Sequence, residues 1–491
     1  MDLLQSPWIP VREDAAVSHI SFEQLLCSPN RYQLSLPRDD MEFAALQLLI
    51  SLAQCIFTPK DRNELVQRMR QPLAPETYRQ AVEPYRAWFV LDHPQHPFMQ
   101  SRGVKAKEIT PIQKLFIGLP EGNNHALFND QGEIGAVCDS CAAIALFNQA
   151  SNCPSFGGGF KANLRGSAPI TTFAAGDHLR DDHLREMLWF NVLSQDRVDY
   201  LLIPQYINNV PVWVDPIPAK GKMHAYEIGL LRGLFWQPAR VELLATAGPQ
   251  RCDACRQTAE RVYSGFRKEK FVYDIEGLWP HPHSPKRWDI KKDTKERERF
   301  LSFTTQAPAW TQLNHCAFGQ MHDKEGSEPS PIVTQFHQVF NIQGRRLILL
   351  VAGYRNKQAS VLERRHELFS MPEDWDNKTP YVEHGIKYAL AVKQELRGKL
   401  YGFAKEVGPS VHETAERQFY HATEPLIHEL LRKMDYPEGK AVLDDFKDQV
   451  ARLAREVFES LTAPYCHAPK GLKYFLVFKR SFEAALAKLN A

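Results

Sequence analysis

The sequence predicts an α+β fold in two parts, a large mixed α/β domain over residues 1–362 with a zinc-knuckle clamp, then a C-terminal four-helix bundle over 363–491. Three observations carry this. Runs rich in β-branched and aromatic residues, punctuated by turn formers, recur between residues 241 and 352. Four long helical repeats follow residue 361, joined at Gly408-Pro409, at Pro437-Glu438-Gly439 and across 463–469, the short connections of an up-and-down bundle. Two Cys-x-x-Cys knuckles stand far enough apart to tie distant segments of the first domain together. With 491 residues, 44% apolar and 24% charged, the chain can bury a large core, which excludes collagen-like, disulfide-scaffold and disordered classes.

The elements follow in order. Trp8-Ile9-Pro10-Val11 reads as a short strand, and Ser21 with Gln24 makes a capping box that opens a helix through Leu26. From Asp39 the apolar residues repeat at helical spacing until Thr58-Pro59 stops them, a core helix. Helical patterns cover 62–70 and 75–90. Prolines and glycines then break regularity as far as about Gly135, so 119–134 is a candidate contact loop. A strand is predicted at 170–173 and a helix over 178–194. Strands are predicted at 241–245, 262–275, 288–292, 300–304 and 347–352. The bundle helices are predicted at 382–405, 411–434, 439–460 and 472–489.

A formal net charge of +2 means that no global field advertises nucleic acid, and basic surface must arise locally. The apolar run 46–56 is interrupted by Gln47, Ser51 and Gln54 and falls short of the ~20 residues that span a bilayer. The N-terminus lacks the basic start and cleavage site of a secretory signal, so a cytoplasmic chain with reduced thiols and no membrane anchor is expected.

Among nine cysteines, Cys138-Asp139-Ser140-Cys141 and Cys252-Asp253-Ala254-Cys255 offer four thiolates that can close a tetrahedral zinc shell. Such a shell leaves no open position, so the metal would be structural. The alternatives are two unrelated turns with reduced thiols, or a redox dithiol in a context that does not favour one. Phe156-Gly157-Gly158-Gly159-Phe160-Lys161, with Arg165-Gly166 after it, exposes backbone to which a phosphate or base edge could come close, but lacks the Gly-Lys-Ser/Thr of a P-loop and also reads as a flexible turn. Phe266 to Phe271 interleaves Arg267, Lys268 and Lys270 with aromatics, compatible with nucleic-acid contact or a solvated edge. Tyr354-Arg355-Asn356-Lys357-Gln358-Ala359-Ser360 offers amide and guanidinium donors in a row, or a polar strand-to-helix turn.

Asp177, His178, Asp181, Asp182 and His183 superficially resemble a metal-hydrolase cluster, but residues five apart do not share a helical face and a solvated helix start is the simpler reading. His281 and His283 alternate with prolines in an extended connection. The helix start at His412-Glu413 has Glu416 where a zincin would carry its second histidine. No nucleophile elbow or dinucleotide fingerprint is present. The chain is therefore expected not to be an enzyme.

Trp8-Ile9-Pro10-Val11, Leu34 to Asp40, His96-Pro97-Phe98-Met99-Gln100, Ala143 to Gln149, Gly233-Leu234-Phe235-Trp236-Gln237-Pro238, Gly277 to His283, Tyr354 to Ser360, Glu363 to His366 and Ser410 to Arg417 stand in an order that resembles the CasA family, essentially end to end. That family is the large subunit of the type I-E CRISPR surveillance complex, Cascade. The resemblance implies a non-enzymatic subunit that recognises the protospacer-adjacent motif (PAM) of double-stranded DNA through the minor groove and starts unwinding for R-loop formation with the guide crRNA. It implies a glycine loop at Ser155, Phe156, Gly157, Gly158 and Gly159, a lysine finger at Lys270, and a glutamine wedge at Gln358 flanked by Lys357 and Ala359. Leu127, Phe128 and Asn129 resemble the family's contact loop to the guide RNA and neighbouring subunits. Cys138, Cys141, Cys252 and Cys255 match positions that bind zinc in relatives. Other Cascade subunits and the helicase-nuclease effector are the implied protein partners. Serine at 155 in place of glycine, and leucine at 127 in place of an aromatic, depart from the family pattern. The competing readings are a metal-dependent nucleic-acid hydrolase built on Asp177 to His183, and a purely structural adaptor.

Overall fold

Helices end and sheets pair where the sequence supplies the breaks. The computed structural model describes residues 1–14, 16–119, 133–176, 183–202, 208–218, 220–291, 294–321, 324–340, 346–357, 359–372, 375–435 and 438–490. β1 (Ile9–Glu13) pairs antiparallel with β2 (Ala16–Ile20) and with the two-residue β3 (Gln33–Leu34). Between β2 and β3, α1 (Phe22–Cys27) opens with the predicted capping box: Ser21 Oγ accepts from Gln24 N at 3.1 Å and Gln24 Oε1 accepts from Ser21 N at 2.8 Å. α2 (Asp39–Ile56) is buried at Asp40 and Met41 and from Ala44 through Gln54, polar residues included. Gln54 explains how: its side chain accepts from Leu193 N at 2.6 Å and donates to Leu193 O at 3.1 Å. α3 (Arg62–Arg70) is capped by Asp61. α4 (Pro75–Val82) stops short of the predicted Val90, because Pro84 cannot donate to the helical ladder and the chain tightens into a 3₁₀ turn over Glu83–Trp88.

The middle of the chain holds β4 (Thr110–Pro111), β5 (Val137–Cys138), α5 (Asp139–Ser151), β6 (Thr171–Ala175), α6 (Leu184–Phe190), α7 (Gln195–Leu201), β7 (Gly221–His224) and α8 (Leu230–Leu234). β8 (Ala239–Arg251) and β9 (Thr258–Lys270) form a long bulged hairpin, and β4 and β5 pair with the other edge of β9. The predicted strand 262–275 is thus two strands, since β10 (Tyr273–Glu276) leaves to pair parallel with β7. The predicted helix 178–194 reduces, among described residues, to α6. β11 (Lys286–Lys291), β12 (Thr294–Phe300), α9 (Leu313–Ala317), β13 (Gln320–Met321), β14 (Glu325–Glu328) and α10 (Pro331–Val339) follow, with strand order β12-β11-β14-β13. β15 (Ile348–Lys357) is flanked by β6 and by β16 (Ser360–Ser370). The stretch predicted as a strand-to-helix turn is therefore a hairpin, with Lys357 paired to Ser360. β16 also spans the 362/363 division expected from the sequence.

α11 (Trp375–Val407), α12 (His412–Lys433), α13 (Gly439–Thr462) and α14 (Pro469–Asn490) form the C-terminal helical region, α11 packing on the other three. Glycines make room for close approach there. A Cβ on Gly385 would lie 2.7 Å from Leu430 Cδ2, and one on Gly402 would lie 2.5 Å from Phe478 Cε1. Glu416, in α12, pairs with Lys393 at 3.1 Å and Arg397 at 3.2 Å on α11. No helix among the described residues is long and apolar enough to cross a membrane.

Candidate nucleic-acid interface and metal centre

The β8–β9 hairpin carries Cys252 and Cys255 just past β8, and β5 brings Cys138 opposite Val262 on β9. Cys138 also precedes α5, whose first turn holds Cys141. The two knuckles therefore meet. Their four sulfurs lie within 4.8 Å of one another, and those of Cys138 and Cys255 are 3.7 Å apart. A tetrahedral shell with Zn–S bonds near 2.3 Å requires sulfurs about 3.8 Å apart, so the set fits zinc. Cys138, Cys141 and Cys252 are buried and Cys255 partly so. Hydrogen bonding among the four pulls the Cys252 thiol well below its ordinary range and pushes those of Cys138 and Cys141 well above theirs. Asp253 ties the knuckles directly: its Oδ2 accepts from Gly135 N and Ala136 N, both at 2.8 Å, and its N–H donates to Ala136 O at 2.9 Å. Among the described residues this is the one His/Cys/Asp/Glu group with such a geometry.

A second assembly forms where the far end of the same hairpin meets the segment after α5. Gly157, Gly158 and Gly159 all adopt left-handed φ, +80°, +54° and +85°, which costs other residues roughly 1–2 kcal/mol each. Ser155 Oγ accepts from Gly157 N at 3.3 Å and Gly157 O accepts from Phe160 N at 3.0 Å, making a tight exposed turn. A Cβ on Gly159 would sit 3.3 Å from Lys270 Nζ, and one on Gly157 would sit 3.3 Å from the Cβ of Ala359. The glycine loop, the end of β9 and the β15–β16 hairpin thus converge. Phe156 and Phe160 flank the loop edge-to-face at 5.6 Å, with Lys270 Nζ 5.7 Å above the Phe160 ring and Lys268 Nζ 5.8 Å above Phe156. Lys270, Lys357 and Ala359 are exposed. Among the described residues neither lysine has an ion-pair partner, whereas Lys161 is held by Asp274 at 3.2 Å. Gln358, and Leu127, Phe128 and Asn129, lie outside the described residues.

Beneath the loop the chain is anchored by Arg165, which the sequence left among candidate phosphate contacts. It is 6% exposed and faces only neutral acceptors. Its Nη1 donates to Thr171 Oγ1 at 2.7 Å and Ser284 Oγ at 2.9 Å, and its Nη2 to Ser151 O at 2.6 Å and Asn152 Oδ1 at 2.7 Å. Burial lowers its pKa to about 9. Asn148, Asn152 and Asp40, equally buried, escaped sequence reasoning because each sits within an otherwise apolar helical repeat.

The other polar clusters are structural. His281 and His283 are buried, His283 Nε2 lying 2.9 Å from Asn191 O and His281 Nδ1 accepting from His283 N at 3.1 Å. Burial holds both imidazoles neutral, pulling the His283 pKa down to about 4. Asp177, His178, Asp181 and Asp182 lie outside the described residues. His183 precedes α6, 3.3 Å from Arg185 Nη2, and burial lowers its pKa to about 4.

Known proteins share this architecture. Over 99% of both chains the fold superposes on Thermus thermophilus CasA (Cse1), with a TM-score of 0.73 at 20% identity. Cse1 from Acidimicrobium ferrooxidans gives a TM-score of 0.73 at 17% identity, covering 100% of this chain and 98% of that one. A chain of a solved CRISPR RNA-guided surveillance complex gives 0.70 at 15% identity, covering 98% and 99%. The fold thus defines a protein of the CasA/Cse1 class. A curated relative, the CRISPR-associated protein CasA/Cse1 of Thermus thermophilus, is 24% identical over 454 residues, 88% of this chain and 82% of that protein. The family model described as CRISPR-associated protein Cse1 matches residues 2–457, and the chain belongs to that family.

Proposed function

We propose that this protein is the large subunit of a type I-E CRISPR surveillance complex, reading a short PAM in double-stranded target DNA from the minor groove and starting its unwinding. The observation that carries the reading is the convergence of three features: the glycine loop, exposed at Gly158 and Gly159, the exposed ammonium of Lys270, and the β15–β16 hairpin with exposed Lys357 and Ala359. A minor groove about 6 Å wide admits backbone without side chains, and it presents acceptor atoms that a lysine can read. Gln358, between Lys357 and Ala359 in sequence, acts as the wedge that parts base steps. Guide crRNA pairing supplies the sequence specificity, so the protein contributes binding rather than bond breaking. Because strand exchange is nearly balanced in energy, a few contacts of about 1–3 kcal/mol each decide whether unwinding nucleates.

Zinc on Cys138, Cys141, Cys252 and Cys255 is structural in this reading, fixing the hairpin that delivers Lys270. The N-terminal mixed body carries recognition. Leu127, Phe128 and Asn129 meet the crRNA and neighbouring subunits, and the bundle docks on other Cascade subunits and helps present the complex to the helicase-nuclease in the prokaryotic cytoplasm. The test is binding of reconstituted complex, with and without this subunit, to duplexes bearing a matched target beside a correct or scrambled motif at fixed salt. Discrimination that requires the subunit and collapses with Lys270→Ala and Gln358→Ala is expected. Equal binding to both duplexes would reduce the protein to an adaptor.

A further inference from the structure

Below the exposed assembly runs a buried chain of hydrogen bonds with a single direction. Arg165 Nη2 donates to Asn152 Oδ1 at 2.7 Å, Asn152 Nδ2 to Asn148 Oδ1 at 3.0 Å, Asn148 Nδ2 to the Tyr354 hydroxyl at 2.9 Å, and that hydroxyl to Asp40 Oδ2 at 3.3 Å. Arg165 can only donate and Asp40, ionised, can only accept, so the two ends dictate the orientation of both amides between them. All five side chains are 6% exposed or less. A buried cation without a carboxylate and a buried carboxylate are thus joined by three neutral groups, each polarised in the same sense.

The chain links the roots of the two arms. Arg165 closes the segment that carries the glycine loop, and Tyr354 sits on β15 three residues before Lys357. Asn148 and Asn152, one turn apart on and just after α5, are the fixed post between them. Two further bonds tighten the loop side: Asn163 Nδ2 donates to Cys153 O at 3.3 Å, and Cys153 Sγ to Asn148 O at 3.0 Å. At the Asp40 end, Arg38 makes a bidentate pair at 2.9 and 3.0 Å and also donates to Ile117 O at 2.9 Å, while Arg364 of β16 reaches Asp40 Oδ1 at 3.2 Å. The loop's own bonds, Ser155 Oγ with Gly157 N and Gly157 O with Phe160 N, close its turn but do not tie it to the hairpin. Its spacing from the hairpin must therefore come from below.

We propose that Tyr354, Asn148 and Asn152 are positioning residues that set the separation between the glycine loop and the Lys357–Ser360 turn, and so fix motif discrimination before DNA arrives. This rests on the motif-reading role given above, and the experiment separates the two. Complexes reconstituted with Tyr354→Phe, Asn152→Asp, Lys270→Ala, Gln358→Ala or Tyr78→Phe are compared for affinity to guide-matched duplexes carrying every adjacent trinucleotide, alongside their melting temperatures and assembly. Asn152→Asp keeps its contact to Arg165 and loses the amide donor that Asn148 Oδ1 accepts at 3.0 Å and Gln47 Oε1 at 2.8 Å. Tyr78→Phe removes a buried hydroxyl whose bond, to Leu4 O at 2.6 Å, lies elsewhere in the core. The expected result is a roughly tenfold loss of discrimination between best and worst motifs in Tyr354→Phe and Asn152→Asp, with non-specific affinity unchanged and Tyr78→Phe discriminating normally. Normal discrimination in Tyr354→Phe and Asn152→Asp, with loss in Lys270→Ala, overturns the positioning role and leaves the motif-reading role standing. Equal loss in Tyr78→Phe and Tyr354→Phe also overturns it, reducing the effect to general destabilisation. Retained discrimination in Lys270→Ala and Gln358→Ala overturns the motif-reading role and the positioning role with it.

Discussion

Gly158 and Gly159 are neighbours with the same handedness but different surroundings, and that difference predicts different mutants. An added Cβ at Gly158 meets nothing within 4 Å, so Gly158→Ala carries only the left-handed strain of about 1–2 kcal/mol. At Gly159 the same methyl also pushes on Lys270 Nζ, 3.3 Å away. Gly159→Ala is expected to weaken motif-dependent binding more than Gly158→Ala at similar thermal stability, measured by duplex titration and melting of the two variants. The cysteines give a second prediction at this scale. Changing Cys138 and Cys252 to Ser removes two of four ligands, so bound zinc per chain should fall and stability should drop by several kcal/mol, because metal binding energy at such a site is folding energy. Unchanged zinc content with an unchanged melting temperature would remove the clamp from the account. The four-cysteine cluster was legible from spacing alone. The Asn148–Tyr354 bond was not, since its partners lie 206 residues apart and no local pattern announces it.

Helix α11 offers an internal comparison between two glycines. At Gly402 a Cβ would lie 2.5 Å from the Phe478 ring, so Gly402→Ala must separate α11 from α14 and is expected to cost about 1–3 kcal/mol. Gly398, exposed in the same helix with nothing within 4 Å, should behave oppositely, Gly398→Ala stabilising by about 0.5–1 kcal/mol through helix propensity. Melting curves that move in the same direction for both variants would contradict the packing described. At this scale the sequence was most informative in the C-terminal region, where period and breakers placed α12 and α13 within two residues of their ends. It was least informative where tertiary pairing decides. β16 is read as the approach to a helix because its Glu363, Arg364, Arg365 and His366 carry no apolar alternation, yet ion pairs of Arg364 with Asp39 at 3.0 Å and of Arg365 with Glu363 at 2.9 Å satisfy them. β12 was predicted a strand too late, since its Lys295 to Arg299 run looks like loop but lies along β11, with Lys295 Nζ 3.9 Å above the Trp288 ring.

For the molecule as a whole, the buried histidines make stability depend on pH. Burial sets the folded pKa of His283 at about 4, below the ordinary 6.5, and holds that of His281 well below 6.5 too. The unfolded chain therefore takes up protons first. Stability from these groups is complete above pH 6.5 and is lost as pH falls from there toward 4, by about 3 kcal/mol for His283. Denaturant midpoints should fall between pH 7 and pH 4.5, and His283→Gln should flatten that slope. A variant with the wild-type slope would assign acid sensitivity elsewhere. The flanking prolines announce an extended connection at the histidines, but their depth depended on α6, β6 and α10 closing around them. Those elements come from both sides of the sequence, which local reasoning does not bring together.

The four-thiol clamp also has a timetable. Cys138 and Cys141 leave the ribosome long before Cys252 and Cys255, and at about 5–20 residues per second the second pair follows roughly 6–20 s behind. Through that interval the first knuckle can neither complete a shell nor rest against the hairpin, so every nascent chain passes a stage at which two thiols stand open to oxidants and competing metals. In the finished molecule Cys138, Cys141 and Cys252 are buried and Cys255 partly so, which shields the cluster. Zinc shortage should therefore fall on new synthesis rather than on complexes already assembled, and a cell deprived of the metal would keep its existing stock of this protein while failing to renew it.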